Sequence, residues 1–163
     1  VKGVSLPYAD QSFDVVISNH VIEHVGDRTA QLAHLREIRR VLAAGGVGYL
    51  AVPNRWMLVE PHFGLPLLSW LPRPLASAYV RLAGRWLHYD CRPLTAGQLT
   101  SMVAEAQMTA VALEVPAIRI HGELEGRRGL VLRAVVRLPS SLLGGARPIV
   151  PTLICLLRRV DQV

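Results

Sequence analysis

The sequence predicts an α/β fold: a mixed sheet with two parallel strands, a C-terminal antiparallel strand pair and flanking helices. Three patterns predict it. A short apolar run, a helix-period stretch and a second apolar run follow one another over residues 13–52, the order of a parallel strand–helix–strand crossover. A long connection rich in proline and aromatic rings then interrupts the pattern at residues 56–90. Two later apolar runs, 109–115 and 130–138, suit neighbouring antiparallel strands at one sheet edge.

Residues 1–11 read as a loop, with Pro7 and the Asp10-Gln11 pair ahead of the first strand. Phe13, Val15, Val16 and Ile17 form a short apolar run, the signature of a buried strand. It ends abruptly in Ser18, Asn19 and His20, and the pair Glu23-His24 follows. Asp27 is placed to cap a helix over 27–43, in which Leu32, Leu35, Ile38 and Leu42 recur at helical spacing. Arg39 and Arg40 favour its C-terminal dipole, and Gly45-Gly46 is expected to stop it. The next strand is 47–52, closed by Pro53. Because the two strands point the same way, Asn19 and His20 share a rim with Asn54 and Arg55. Two polar turns on one rim make a candidate site.

In residues 56–90, Pro61, Pro66, Pro72 and Pro74 break any early helix, and a helix is expected over 75–87 with Leu75, Tyr79, Leu82 and Trp86 on its packed side. A connection this long, inserted at a ligand rim, reads as a lid or substrate-binding element. Thr95 and Gln98 form a capping box ahead of Leu99, Met102 and Val103. The strand at 109–115 is expected to end at Pro116, with a Gly- and charge-rich loop leading to 130–138. The tail, 139–163, carries an apolar run at 149–157 too short to span a bilayer, and reads as a helix docked on the domain. The division is thus 1–138 as the main domain and 139–163 as a helical tail.

At 163 residues and 51% hydrophobic, the chain can bury a sizeable core. Its two cysteines provide no disulfide framework, and no secretory signal is visible, which together point to a reducing, cytoplasmic location. The net charge of +6 is almost all arginine, scattered without interleaved aromatic platforms, so nucleic acid is not an expected partner. A peripheral membrane contact through the tail is the alternative use of that charge. The chain opens on Val1 almost at a strand, which reads as the start of a fragment. The first strand would then lack a neighbour on one side, so self-association is expected.

His20, Glu23 and His24 spell H-x-x-E-H, a metallopeptidase pattern. That pattern needs both imidazoles on one helix face, whereas His20 ends a strand and no third ligand is evident. The sequence therefore assigns no metal. The rim's histidines suit proton transfer instead, with His24 and His20 the first candidates and His62 another.

The stretches LPYADQSFDVVISNHVIEHV and LREIRRVLAAGGVGYLAVPN closely resemble the second half of class I S-adenosylmethionine-dependent methyltransferases of the type 11 kind, as an FDVV strand, an EH turn and an E-x-x-R-V-L helix ending in Gly-Gly. The likeness continues more loosely through His88-Tyr89, Leu94-Thr95 and Gln98-Leu99. It implies a partial Rossmann-like fold and S-adenosylmethionine as cofactor. It places Gly3, Val4 and Ser5 against the adenine, with Lys2 where relatives often carry an acid, and Asn19 and His20 beside the methionine arm. It sets Asn54, Arg55, Glu60, His62 and Tyr89 toward the acceptor. The family's glycine-rich loop has no counterpart here: only five residues precede Leu6, and Gly45-Gly46 follows a helix rather than opening one. No Asn-Pro-Pro-aromatic motif ends the strand, which argues further against nucleic-acid bases. The expected activity is methyl transfer to an oxygen or carbon of a small-molecule or glycan/lipid-precursor acceptor. The alternative is a non-catalytic remnant that binds a membrane or a partner. This chain alone is expected to bind the cofactor weakly or not at all.

Overall fold

The computed structural model describes residues 5–125 and 137–160. Strand β1 (Phe13–Asn19) leads through a 3-10 turn at Ile22–His24 into helix α1 (Arg28–Val41) and then β2 (Leu42–Pro53). A small antiparallel pair follows, β3 (Val59–Glu60) and β4 (Leu65–Pro66), then a 3-10 turn at Leu68–Trp70 and helix α2 (Arg73–Leu82). Helix α3 (Ala96–Glu105), strand β5 (Met108–Ala112), helices α4 (Glu114–Glu125) and α5 (Ser140–Gly145), and strand β6 (Thr152–Arg159) complete the described chain. The main sheet runs β1-β2-β6-β5, with β1 parallel to β2 and β6 antiparallel to both its neighbours. This is the expected mixed α/β sheet.

Local chemistry explains α1 and α3. Asp27 accepts a hydrogen bond from the Ala30 amide at 3.0 Å. Leu32, Leu35, Ile38 and Val41 are buried one helical turn apart, the apolar stripe that a packed helix needs. At α3 both halves of the capping box form: Gln98 N donates to Thr95 Oγ1 at 3.1 Å and Thr95 N to Gln98 Oε1 at 3.0 Å. The two helices cover one sheet face, where Leu50 and Val52 of β2 meet Leu153, Cys155 and Leu157 of β6. Among the described residues, β1 ends the sheet on one side, and its Val15 and Ile17 are 61% and 70% exposed.

Five expectations are corrected. Gly45-Gly46 does not stop α1, because Leu42 turns extended (ψ 126°) directly after Val41. The glycines instead sit in an irregularity of the β1–β2 ladder, where pairing jumps from Phe13↔Leu42 to Val15↔Val47. Gly45 has φ +76°, and a Cβ on Gly46 would lie 3.0 Å from the carbonyls of both Ala43 and Asp14. Second, α2 stops at Leu82, where Gly84 (φ +63°) turns the chain, and it buries Ala76 and Val80. Of the bulky stripe, Tyr79 packs partly buried against the cluster that holds Ala76 and Val80, whereas Leu75 and Leu82 are exposed, Leu82 at 88%. Third, the stretch after β5 is helix α4, with Pro116 accommodated in its first turn. Fourth, the partner of β5 is β6; of the strand expected at 130–138, residues 130–136 lie outside the described residues, and Arg137 and Leu138 lie in a turn. Fifth, the tail is not helical throughout. Leu153, Cys155 and Leu157 alternate fully buried with half-buried neighbours, a period of two that makes 152–159 a strand in the middle of the sheet.

The loop before β1 is latched to α1 by Glu37 and Arg40. Glu37 Oε1 accepts from the Leu6 amide at 2.7 Å and from Arg40 Nη2 at 2.6 Å, and its Oε2 accepts from Arg40 Nε at 2.9 Å. Arg40 also donates to the carbonyls of Tyr8 at 2.8 Å and Leu6 at 3.1 Å, and to Asp10 Oδ1 at 2.7 Å. The guanidinium bond holds the Glu37 carboxyl down at about 2. A carboxyl whose pKa is lowered on folding stabilises above its ordinary range and loses that contribution as it protonates. Glu37→Ala is expected to cost about 2 kcal/mol at neutral pH. The difference from the unaltered chain should shrink between about pH 4.5 and pH 2, as read by urea unfolding across that range.

Candidate functional site

The site begins where β1 and β2 end together. Asn19 pairs with Ala51, three residues before Asn54, so both polar turns lie at one end of the sheet, as the parallel crossover requires. His20 turns the chain there at φ +53°, and its amide donates to the Ala51 carbonyl at 3.0 Å. The Ile22–His24 turn is fastened from the far side: Arg92 N donates to the Glu23 carbonyl at 2.9 Å. Gln31 Nε2 bridges the carbonyls of Ile22 at 3.2 Å and Arg92 at 2.9 Å. These bonds bring Asp90 and Cys91 against His24, although 67 residues separate Cys91 from it.

A cluster of imidazoles and carboxylates results. Glu23 and Glu60 are both 0% exposed. Glu60 is fully engaged, with His62 Nδ1 donating to Oε1 at 2.7 Å and the Phe63 amide to Oε2 at 2.8 Å. Glu23 is not: neither carboxylate oxygen has a hydrogen-bond partner, and neither has His20 Nδ1, 3.4 Å from Glu23 Oε1. His24 places Nδ1 3.6 Å from Asp90 Oδ2, and Nε2 3.9 Å from both Glu23 Oε1 and Cys91 Sγ. The His62 ring lies 5.7 Å from those of His20 and His24, edge to face with each. Burial pushes the Cys91 thiol and the Tyr89 phenol far up, so both stay protonated at neutral pH. Cys91 is therefore no thiolate nucleophile.

The expected site residues divide. His20, His24 and His62 converge, and Tyr89 lies beside them with its hydroxyl unbonded. Asn19 is exposed at the rim. Arg55 joins Arg28, Arg73 and Arg92 in lining a cavity of about 190 Å³ that also meets Tyr89 and Cys91, with no carboxylate in its lining. Asn54 does not face an acceptor: it is fully buried, with Nδ2 donating to the carbonyls of Arg147 and Pro148. Glu60 likewise points at His62 rather than outward. Ser5 is exposed on the latched loop, and Gly3 and Val4 lie outside the described residues. Asp90, Cys91, Arg28, Arg73 and Arg92 escaped the sequence reading, because only contacts between distant segments assemble them around Arg55 and Tyr89.

Three histidines, two buried carboxylates and a thiol include several metal-capable groups. The donor atoms of His20, Glu23 and His62 lie within 4.8 Å of one another, and so do those of two other triads, His24–Asp90–Cys91 and Glu60–His62–Cys91.

Comparison with known proteins fits this architecture. Residues 2–50 match the family described as a methyltransferase domain. A stretch of 73 residues is 40% identical to a protein of Mycolicibacterium smegmatis named a probable S-adenosylmethionine-dependent methyltransferase, covering 45% of this chain and 27% of that protein. The chain thus spans about a quarter of the length of the curated relative it matches. In fold it resembles an S-adenosylmethionine-dependent methyltransferase of Methanosarcina mazei, with a TM-score of 0.52 and 16% identity over 97% of this chain and 65% of the other. It also resembles a chain of the complex between the Haloferax volcanii Trm112 methyltransferase activator and a methyltransferase, with a TM-score of 0.50 and 16% identity over 99% of this chain and 61% of the other. Residues 2–50 are thus similar in sequence to a methyltransferase domain, and the sheet has the Rossmann-like fold of the solved methyltransferases it resembles.

Proposed function

We propose that this chain forms the acceptor-facing part of an enzyme that moves a methyl group from S-adenosylmethionine to an oxygen or carbon of a small-molecule or glycan/lipid-precursor acceptor. The observation that carries the reading is the convergence of His20, His24 and His62 on the common end of β1 and β2. The cofactor fits this chain only in part. Among the described residues no glycine-rich turn joins a strand to a helix in the manner of a nucleotide loop, since Gly45-Gly46 lies in the β1–β2 ladder. Asn19 and His20 would border its methionine arm, with Ser5, Val4 and Gly3 toward its adenine.

When bound, the cofactor supplies an electrophilic methyl carbon on a sulfonium. The chain's own residues align the acceptor and exclude water around it. His24 is the better placed proton acceptor: Asp90 faces its Nδ1, which leaves Nε2 for an acceptor hydroxyl. The four-arginine cavity next to Tyr89 favours an acceptor that carries an anionic group. Residues 61–89 contain no Asp or Glu and expose Leu75, Leu82, Trp86 and Leu87, which favours a lipid-like acceptor over a small polar one.

Calorimetric titration of this chain with S-adenosylhomocysteine is expected to show no micromolar binding, and tight binding would overturn the partial fit. Label transfer from methyl-labelled S-adenosylmethionine to a lipid extract by the enzyme that carries this chain should fall at least ~100-fold in His24→Ala. An unchanged rate would remove His24 from the chemistry. A reading as a non-catalytic remnant that binds a membrane or a partner through residues 56–90 and the tail would have to use the tail as it stands in β6.

A further inference from the structure

We propose that His20, Glu23 and His62 form a binding site for one divalent transition ion of the nitrogen-preferring kind, zinc being the reference member. The inference goes beyond the methyl-transfer reading and does not depend on it.

It starts from Glu23, a completely buried carboxylate that has the His20 and His24 imidazoles at 3.4 and 3.9 Å but no hydrogen bond to either oxygen. An ionised carboxylate in that position is strongly unfavourable unless something compensates it. The turn that carries it is held in place, the Glu23 carbonyl accepting from the Arg92 amide and the preceding carbonyl from Gln31. His20 Nδ1 is buried beside it with no partner either. Two orphaned groups that face each other at 3.4 Å are what an ion between them would satisfy. Tetrahedral zinc with donors at about 2.0–2.2 Å sets them about 3.4 Å apart.

The third ligand is prepared from behind. Glu60 accepts from His62 Nδ1 at 2.7 Å, which fixes the ring and reserves Nε2 as its free lone pair. A buried carboxylate behind an imidazole is the usual support of a metal-binding histidine. The three donor atoms already lie within 4.8 Å of one another, and the rings of His20 and His62 are partly exposed, so a small rotation closes the set. Two imidazoles and one carboxylate suit zinc, manganese(II) or iron(II) better than magnesium or calcium, which prefer all-oxygen shells. Three protein ligands leave a coordination position open, and His24 Nε2, 3.9 Å from Glu23 Oε1, borders it. The two other triads both need the buried Cys91 and leave Glu23 without a ligand role.

The test is titration of the metal-stripped chain with zinc and cobalt(II). One equivalent should bind with micromolar or tighter affinity, and cobalt should give the visible bands of a four- or five-coordinate ion. Glu60→Gln, which disturbs the support behind His62 and one bond to the Phe63 amide without removing a proposed ligand, is expected to weaken binding about 10–100-fold. Glu23→Gln and His20→Asn should weaken it further, while His88→Ala, an exposed histidine elsewhere, should leave it unchanged. Asn tolerates the positive φ at position 20, so His20→Asn remains decisive if Glu23→Gln fails to fold. Absence of stoichiometric binding, binding that survives both substitutions, or magnesium binding tighter than zinc would each overturn the site.

Discussion

A chain that ends at Val150 is expected to lose cooperative folding altogether. Strand β6 lies between β2 and β5, so its removal leaves β2 without its antiparallel partner and β5 with none in the sheet. It also withdraws Leu153, Cys155 and Leu157, all fully buried, from the core under α1 and α3. Burial of these three side chains alone is worth about 5–8 kcal/mol, against a total stability of about 5–15 kcal/mol for a domain. The loss of the ladder comes on top. Far-UV circular dichroism with a urea titration should show no sigmoidal transition in the shortened chain. The graded version is Leu153→Ala, expected to cost about 2–5 kcal/mol while keeping the transition. A shortened chain that unfolded with the original slope and midpoint would show that β6 is dispensable, as a docked tail would be.

The second large effect is expected at Asn54. Its Nδ2 donates to the carbonyls of Pro148 at 2.8 Å and Arg147 at 3.2 Å, while its Oδ1 accepts from the Trp56 amide at 3.1 Å. Its own amide donates to the Pro151 carbonyl at 3.0 Å. The side chain therefore ties the end of β2 to the turn that launches β6. Asn54→Ala takes the side-chain partner from two carbonyls and an amide at once, each a loss of about 1–3 kcal/mol. A total near 3–5 kcal/mol is expected in urea unfolding, since water can rescue part of it. A residue that only touched an acceptor from an exposed turn would change stability by less than about 0.5 kcal/mol. The two outcomes are well separated.

Legibility in the sequence followed the range of the interactions. Caps that operate over three residues, at Asp27 and Thr95, were readable, because the partners sit in the same short window. The parallel crossover and the common end of its strands were readable from two apolar runs and the helix between them. Strand β6 was misjudged for a specific reason: Pro151 and the brevity of the run obscured the alternation at 153, 155 and 157. The face of α2 was misjudged because large residues attract attention, whereas the residues it buries are Ala76 and Val80. Within the site, the three histidines could be suspected from their type and place. The structural employment of Asn54 and Glu60 could not, since the partners of Asn54 lie 93 and 94 positions away and Glu60 serves its neighbour's ring. Cys91 and Asp90 carried no local signal at all.

His20 combines an imidazole that the cluster uses with a backbone angle, φ +53°, that most side chains resist. Glycine would adopt that angle without strain. Selection for heat resistance and selection for chemistry therefore pull this one position in opposite directions. A lineage bred only for durability would be expected to drift to glycine there and keep its shape after its ring had gone.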